Sequence, residues 1–297
     1  MTHLEELVNL GFLVEESSKE YIEKLDGKKF QKLVKHLKEE KPFIVSKELI
    51  SNILAREIEI LKQFRPIEEF TVQDFVGVLN KRYSFLQNIL LGKVELKNIV
   101  SINKVSNGNI SVIGLVKDML IKNGKRDVVL EDPTGYIDAL VDAKLTEKLV
   151  LDDVVAVTGR ISGKFLYAEK VFFPSVPLRP VNYSKEDIKV AFTDKKVDAD
   201  YIIRKDGLED RVKRKNCNIS MPCTLKINDV IILVAPSFDP MEIINKRYIN
   251  IDNIDFLIDP VPDIIFTDKK VNMSYKGISI LSKDNVINLK TRKVEPV

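Results

Sequence analysis

The sequence predicts an α+β chain assembled from parts of different kinds. Two observations carry that prediction. Apolar residues recur at three- and four-residue steps up to about residue 91, which is helical spacing. From about residue 96 the pattern becomes short, β-branched, alternating runs broken by Gly and Pro, and it continues with few helical stretches to residue 297. A chain of 297 residues has room for two or three domains, and 44% hydrophobic against 31% charged residues is a globular balance able to bury real cores. The net charge of +3 permits contact with nucleic acid without arguing for it.

Residues 1–62 read as a helical N-terminal module. Leu4, Leu7, Val8 and Leu10 fit a short helix ending at Gly11; Tyr21, Ile22 and Leu25 fit a second; Phe30, Leu33, Val34 and Leu37 a third. After a turn at Lys41-Pro42, Ser46 is placed to cap a fourth helix with Leu49, Ile50, Ile53 and Leu54 on its apolar face. Residues 63–95 read as a linker, QFRPIEEF, and a connecting helix. Thr71 caps that helix and Gly92 ends it. Val72, Phe75, Val76, Leu79, Tyr83, Leu86, Ile89 and Leu90 form one apolar face expected to pack on the next domain.

Residues 96–178 hold five strand-like runs: NISVIGLVKDMLI, two runs around the Asp132-Pro133-Thr134-Gly135 turn, LDDVVAVTGRISG and KFLYAEKVFF. Five short strands with Gly at the bends predict a small Greek-key barrel of OB type. Residues 179–297 add strands at KVAF, TLKI, VIILVA, DIIF and GISIL. Within them Phe192-Thr-Asp-Lys-Lys-Val197 recurs as Phe266-Thr-Asp-Lys-Lys-Val271, each after an apolar strand and each with a Tyr four residues on. The flanking sequence does not repeat, so two equivalent strand-to-loop positions in a layered sheet account for the recurrence better than a duplicated module.

Composition excludes much chemistry. The only histidines are His3 and His36, in the helical module, so no downstream Ser or Cys has an imidazole partner. Cys217 and Cys223 lack a second pair and nearby His, which argues against zinc and for free thiols in a reducing compartment. No phosphate-binding Gly-rich loop occurs, no cofactor is expected, and Asp152-Asp153 reads as turn chemistry at a strand start. The N-terminus has neither basic leader nor apolar core, and no apolar run reaches membrane-spanning length. A cytoplasmic protein without membrane contact is the expectation.

Five segments, in order, resemble the small subunit of the archaeal D-family DNA polymerase. KPFIVSKELISNIL looks like its N-terminal domain, and FTVQDFVGVLNKRYSFLQNILL like its connecting helix. ISVIGLV…VVLEDPTGYIDALV looks like its OB strands, and VFFPSVPLRP like the exit from that fold. DPVPDIIFTDKK…YKGISIL looks like the family's VPDI…H-T-G-H…Y-K-G stretch. The resemblance implies a calcineurin-like phosphoesterase β-sandwich over residues 179–297. In active members two divalent metals there hold the water and scissile phosphate of a 3′–5′ exonuclease.

Placed on that pattern, the chain has lost its ligands. Asp194 keeps the acid of the first motif, but Lys196 stands at its histidine. Two motifs have no counterpart, which implies a large internal deletion, and Ala235-Pro236 stands at a later histidine. Lys269 and Val271 occupy the two histidine positions of the last motif. A protonated lysine repels a dication. Either these lysines are solvated loop residues, or they mimic part of the metals' charge and attract phosphate.

The basic residues offer a second kind of site. Lys117, Lys125 and Arg126 lie near one OB hairpin, in a domain that also holds Tyr136, Phe165, Tyr167, Phe172 and Phe173. Arg211, Lys213, Arg214 and Lys215 form a run in the last domain. Core packing and a solvated loop are the competing readings of the aromatics and of the run. The resemblance implies a non-catalytic accessory subunit that binds and stabilises the large catalytic subunit in DNA replication. DNA would be reached through the complex, with the N-terminal module recruiting a sliding clamp or other replication proteins. The rivals are a stand-alone single-strand-binding OB protein and a weak residual metal-dependent exonuclease.

Overall fold

The structure is a computed structural model that describes residues 2–55, 58–67, 69–122, 125–212 and 215–297. The helical module comprises α1 (His3–Asn9), β1 (Leu13–Val14), α2 (Glu16–Glu23), α3 (Gly27–Glu40), β2 (Ile44–Val45) and α4 (Lys47–Ala55). Caps set the helix starts: Thr2 and Glu5 form a reciprocal capping box on α1, Asp26 accepts from Lys29 N on α3, and Ser46 Oγ accepts from Leu49 N at 3.1 Å on α4. Leu7, Ile22, Leu33, Leu37, Val45 and Ile50 bury together as the module's core. The two-residue strands β1 and β2 pair in parallel beside it.

The next element departs from the expectation that residues 1–62 are helical. β3 (Ile58–Gln63) is a strand, and it adds antiparallel to a sheet built otherwise from residues beyond 222. Ile58 packs into that sheet's core, and Lys62 reaches Leu257 O at 2.8 Å across the Phe256 ring. The alternating IEILKQ run continues the helical apolar pattern closely enough to read as its tail.

α5 (Val72–Leu91) starts in a capping box between Thr71 and Asp74 and stops at Gly92. Its apolar face is used only in part. Tyr83, Leu86 and Leu90 are buried with Ile113, Val154 and Ala156 of the barrel, whereas Val72, Phe75 and Val76 stay exposed.

The barrel is closed, with strands in the order β4 (Gly108–Lys122), β5 (Lys125–Asp132), β6 (Gly135–Asp142), β8 (Phe165–Phe172), β7 (Val154–Ser162). β4 bends at an irregularity between Val116 and Asp118, so its first half pairs with β7 and its second with β5; this bend closes the cylinder. Gly159 marks the register shift between β7 and β8, where a Cβ would lie 2.1 Å from Tyr167 O. Asp132 folds the β5–β6 turn by accepting from Thr134 N at 2.7 Å and Gly135 N at 3.0 Å. Val112, Val128, Leu130, Ala139, Val157 and Leu166 fill the interior. A closed five-stranded barrel of this kind fits the OB fold.

The remaining chain forms two facing six-stranded sheets. The first runs β12 (Lys215–Asn218), β11 (Gly207–Asp210), β10 (Tyr201–Ile203), β9 (Lys189–Phe192), β20 (Asn285–Asn288), β21 (Val294–Pro296). The second runs β18 (Asn272–Tyr275), β19 (Ile278–Ser282), β17 (Ile264–Thr267), β14 (Val230–Val234), β13 (Cys223–Ile227), β3. Alternation sorts their faces: Val190, Phe192, Tyr201 and Ile203 of the first meet Leu225, Ile232, Val234 and Phe266 of the second in the largest core. The outer face of the second sheet, with Leu233, Ile265 and Ile280, is covered by α6 (Pro240–Lys246) and the hairpin β15 (Tyr248–Ile251)–β16 (Ile254–Leu257). Both cysteines are free; Cys217 is exposed, and burial pushes the Cys223 thiol up to about 12. No described helix is long and apolar enough to cross a membrane.

A barrel–sandwich junction as the candidate functional site

The positions read from the sequence as lost ligands lie at matching ends of the two sheets. Thr193 follows β9 and Thr267 ends β17, and each hydroxyl accepts the backbone N–H two residues on, Lys195 N at 3.1 Å and Lys269 N at 3.2 Å. The repeated hexapeptide is thus one turn used twice, with Phe192 and Phe266 6.0 Å apart between the sheets. The link from β19 to β20 ties the two ends: Lys283 N donates to Thr267 O at 2.8 Å and Asp284 N to Phe192 O at 2.9 Å.

These residues do not fit a two-metal centre. Asp194 accepts from Lys283 Nζ at 2.5 Å, Lys196 and Lys269 are exposed cations, and Val271 packs against the core under the second sheet. The Lys283 ammonium is drawn above its ordinary pKa by its bond to Asp194, with Asp268 and Asp284 adding to the attraction. Lys283, with Lys195 paired to Asp284 at 3.4 Å, therefore sets internal cations against the carboxylates at this edge. Among the described residues no group of three or more His, Cys, Asp or Glu could hold a metal ion.

The basic residues singled out in the sequence do not converge. Lys117 on β4 pairs with Glu131 at 2.7 Å and lies 5.7 Å from the Tyr136 ring centre. Lys125 and Arg126 open β5, and their side chains lie outside the described residues, as do Lys213 and Arg214 entirely. Arg211 Nε donates to Glu209 Oε1 at 2.7 Å, and these bonds from Arg211 and Arg204 hold the Glu209 carboxyl below its usual range. Lys215 on β12 reaches back to Glu39 of α3 at 3.1 Å. Of the aromatics, Tyr136, Phe165 and Tyr167 are exposed on the barrel's outer face, while Phe173 packs with the interior.

What does converge is the set of residues joining barrel to sandwich. The exit segment after β8 runs from Phe173 into the first sheet, and the second sheet grips it. Val176 N donates to Ile244 O at 3.0 Å, and Lys276 Nζ donates to Val176 O at 2.8 Å. Arg179 Nη2 donates to Asp263 Oδ1 at 2.8 Å; Asp263 is buried and also accepts from Ile231 N at 2.8 Å and Asn182 Nδ2 at 3.2 Å. Gly277 has φ +81°, and a Cβ there would lie 2.2 Å from Arg179 O, so only glycine lets the segment pass. The exit segment that carries P-x-V-P thus meets the V-P-D-I element, 84 residues on from Arg179 to Asp263, and the Y-K-G element, 100 residues on from Val176 to Lys276, at one strap.

A second, buried joint lies beside it. Arg82 of α5 grips Asp255 of β16 with two bonds, Nε to Oδ2 at 2.6 Å and Nη2 to Oδ1 at 2.5 Å. Its Nη1 donates to Asp152 O at 3.0 Å, and the guanidinium lies 4.2 Å from the Tyr248 ring centre. Asp153, buried at the start of β7, accepts from Tyr248 Oη at 2.9 Å and pairs with Lys246 of α6 at 3.1 Å. Burial raises the Asp153 carboxyl despite Lys246, and burial raises the Tyr248 hydroxyl. Asp152-Asp153, read from sequence as a simple turn, are part of the joint. No local signal marks them, because Arg82, Lys246 and Tyr248 are all distant in sequence.

By its fold and junction the molecule is a barrel-plus-sandwich protein, built around a fixed contact between the two, with no candidate metal cluster among its described residues. Its sequence is 30% identical over 190 residues to the DNA polymerase II small subunit of Archaeoglobus fulgidus, covering 63% of this chain and 38% of that protein. It is 38% identical over 130 residues to the DNA polymerase II small subunit of Methanothermobacter thermautotrophicus, covering 41% of this chain and 27% of that one. The chain is a sequence relative of the archaeal DNA polymerase II small subunits, although it spans well under half the length of either. No family model matches it. Among solved structures, the OBody AM1L10 bound to hen egg-white lysozyme aligns with 27% of this chain and 96% of its own at a TM-score of 0.25 and 13% identity.

Proposed function

We propose that the chain is a non-catalytic accessory subunit of a D-family DNA polymerase, a scaffold that binds and stabilises the large catalytic subunit in replication. The observation that carries this reading is a division among the motif residues. Those that fasten barrel to sandwich are present and bonded to one another, whereas the ligand positions carry Lys196, Lys269 and Val271. A shortened phosphoesterase-like sandwich kept for its surface rather than its metals accounts for both halves of that division. DNA would be met through the complex, and the helical module would recruit a sliding clamp or other replication proteins.

Co-expression with the large subunit, followed by size-exclusion chromatography, tests the proposal. Separate elution at micromolar concentration refutes it. Exposure of Tyr136, Phe165 and Tyr167 on one barrel face favours a second reading, stacking of a single strand. That reading predicts salt-sensitive binding of oligonucleotides by the chain alone. A residual nuclease instead predicts Mn²⁺-dependent shortening of a 3′ end that Asp194→Ala abolishes.

A further inference from the structure

The first two turns of α5 present an apolar face that nothing among the described residues covers. Val72 is 76% exposed, Val76 50% and Phe75 36%, whereas Leu86 and Leu90 on the later turns of the same helix are fully buried. Val72, Phe75, Val76 and Leu79 follow the spacing i, i+3, i+4, i+7, the stripe one helix presents to another element. Beside this stripe the helix and the barrel enclose a groove of about 400 Å³, its apolar lining formed by Phe75, Val76, Leu79, Leu115 and Pro133. Its polar lining includes Glu131 and Asp132 and, among the described residues, no lysine or arginine. Lys117 pairs with Glu131, so among the described residues the carboxylates of Glu131 and Asp132 outnumber the cation beside them.

We infer that this groove receives an apolar segment of the large polymerase subunit flanked by Lys or Arg, which extends the α5 stripe on the side the barrel does not cover. The inference rests on the accessory-subunit reading and narrows it to one surface. Apolar burial supplies the affinity, and the acidic lining supplies register and selects against acidic segments. The groove continues the buried α5–barrel contact, so the bound segment also bridges helix and barrel at the joint where Arg82 fixes the sandwich.

The test uses the full chain and the purified large subunit, titrated by a fluorescent label. Four chains are compared: wild type, Phe75→Glu/Val76→Glu, Glu131→Arg, and Phe43→Glu as a control on the 83%-exposed Phe43 of the helical module. Thermal unfolding of each chain alone shows that the substitutions spare the fold. The double variant is expected to weaken association by about thirty-fold or more, the loss of a central apolar anchor. Glu131→Arg is expected to weaken it by several-fold and to reduce its salt dependence, with Phe43→Glu unchanged. If wild type binds and the double variant binds within threefold of it, the groove is refuted while the accessory role stands. If Glu131→Arg binds as well as wild type or better, the basic character of the segment is refuted. If wild type does not bind, the accessory role itself fails.

Discussion

Replacing Arg82 with Met removes the guanidinium at the centre of the barrel–sandwich joint and nearly preserves the length of its aliphatic stem. The structure sets the magnitude. The side chains of Arg82 and Asp255 are 4% and 5% exposed, so water cannot take over the two bonds that are lost. Among the described residues the Asp255 carboxylate would keep Asn250 Nδ2 at 2.9 Å, Asp152 O would lose its donor, and Tyr248 its stacked cation. Stranding one member of a buried pair costs about 3–5 kcal/mol. Arg82→Met/Asp255→Leu removes both charges and should recover at least about 2 kcal/mol of that, because an apolar replacement of a whole buried pair is often close to neutral. Urea unfolding followed by far-ultraviolet circular dichroism measures both, since the chain has no tryptophan. Lys19→Ala supplies the scale at the surface: its pair with Glu16 has side-chain exposures of 41% and 87%, and the change should cost under about 1 kcal/mol. If Arg82→Met costs no more than Lys19→Ala, the joint does not fix barrel to sandwich and the reasoning fails.

Three further predictions follow from single positions. Gly277→Ala should destabilise by about 2–4 kcal/mol, because it adds a clash with Arg179 O to a positive φ. Gly11→Ala, with φ +87° and open space around it, should cost about 1 kcal/mol, and equal losses in urea melts would contradict the steric account. The bond from Thr193 and the nearby Lys195 hold the Asp284 carboxyl below its usual range. That stabilisation is therefore present above the ordinary aspartate pKa of about 4 and is lost as pH falls through the lower folded value. Asp284→Asn should flatten the acid limb of a stability-versus-pH curve, and an unchanged limb would contradict this. With Cys223 buried and its thiol up at about 12, a thiol reagent at pH 8 should modify Cys217 alone in the native chain and both cysteines after denaturation.

The parts of the fold set by local rules were legible in the sequence. Thr71 and Ser46 cap the helices they were expected to cap, the barrel strands fall on the runs that alternate, and KVAF, TLKI, VIILVA, DIIF and GISIL are all strands. The parts set by distant partners were not. β3 is defined by a strand more than 150 residues away, and IEILKQ reads locally as the tail of a helix. β10, β11 and β12 are three or four residues long, too short for periodicity to announce them. On α5 the pattern showed an apolar stripe but could not show what covers it, and its first turns are covered by nothing among the described residues. The departures from the family pattern at Lys196, Lys269 and Val271 could be read in the sequence; the Lys283–Asp194 bond between the two turns could not. Asp263 and Gly277 stood in the quoted motifs, but their task of holding Arg179 and its segment emerges only when three segments meet in space.

The central claim, that this chain exists to hold a partner rather than to cut DNA, is tested most directly by mixing it with the large subunit and measuring mass in solution. Light scattering on the size-exclusion eluate at micromolar concentration should give a single stoichiometric complex. Two peaks at the masses of the separate chains would contradict the account.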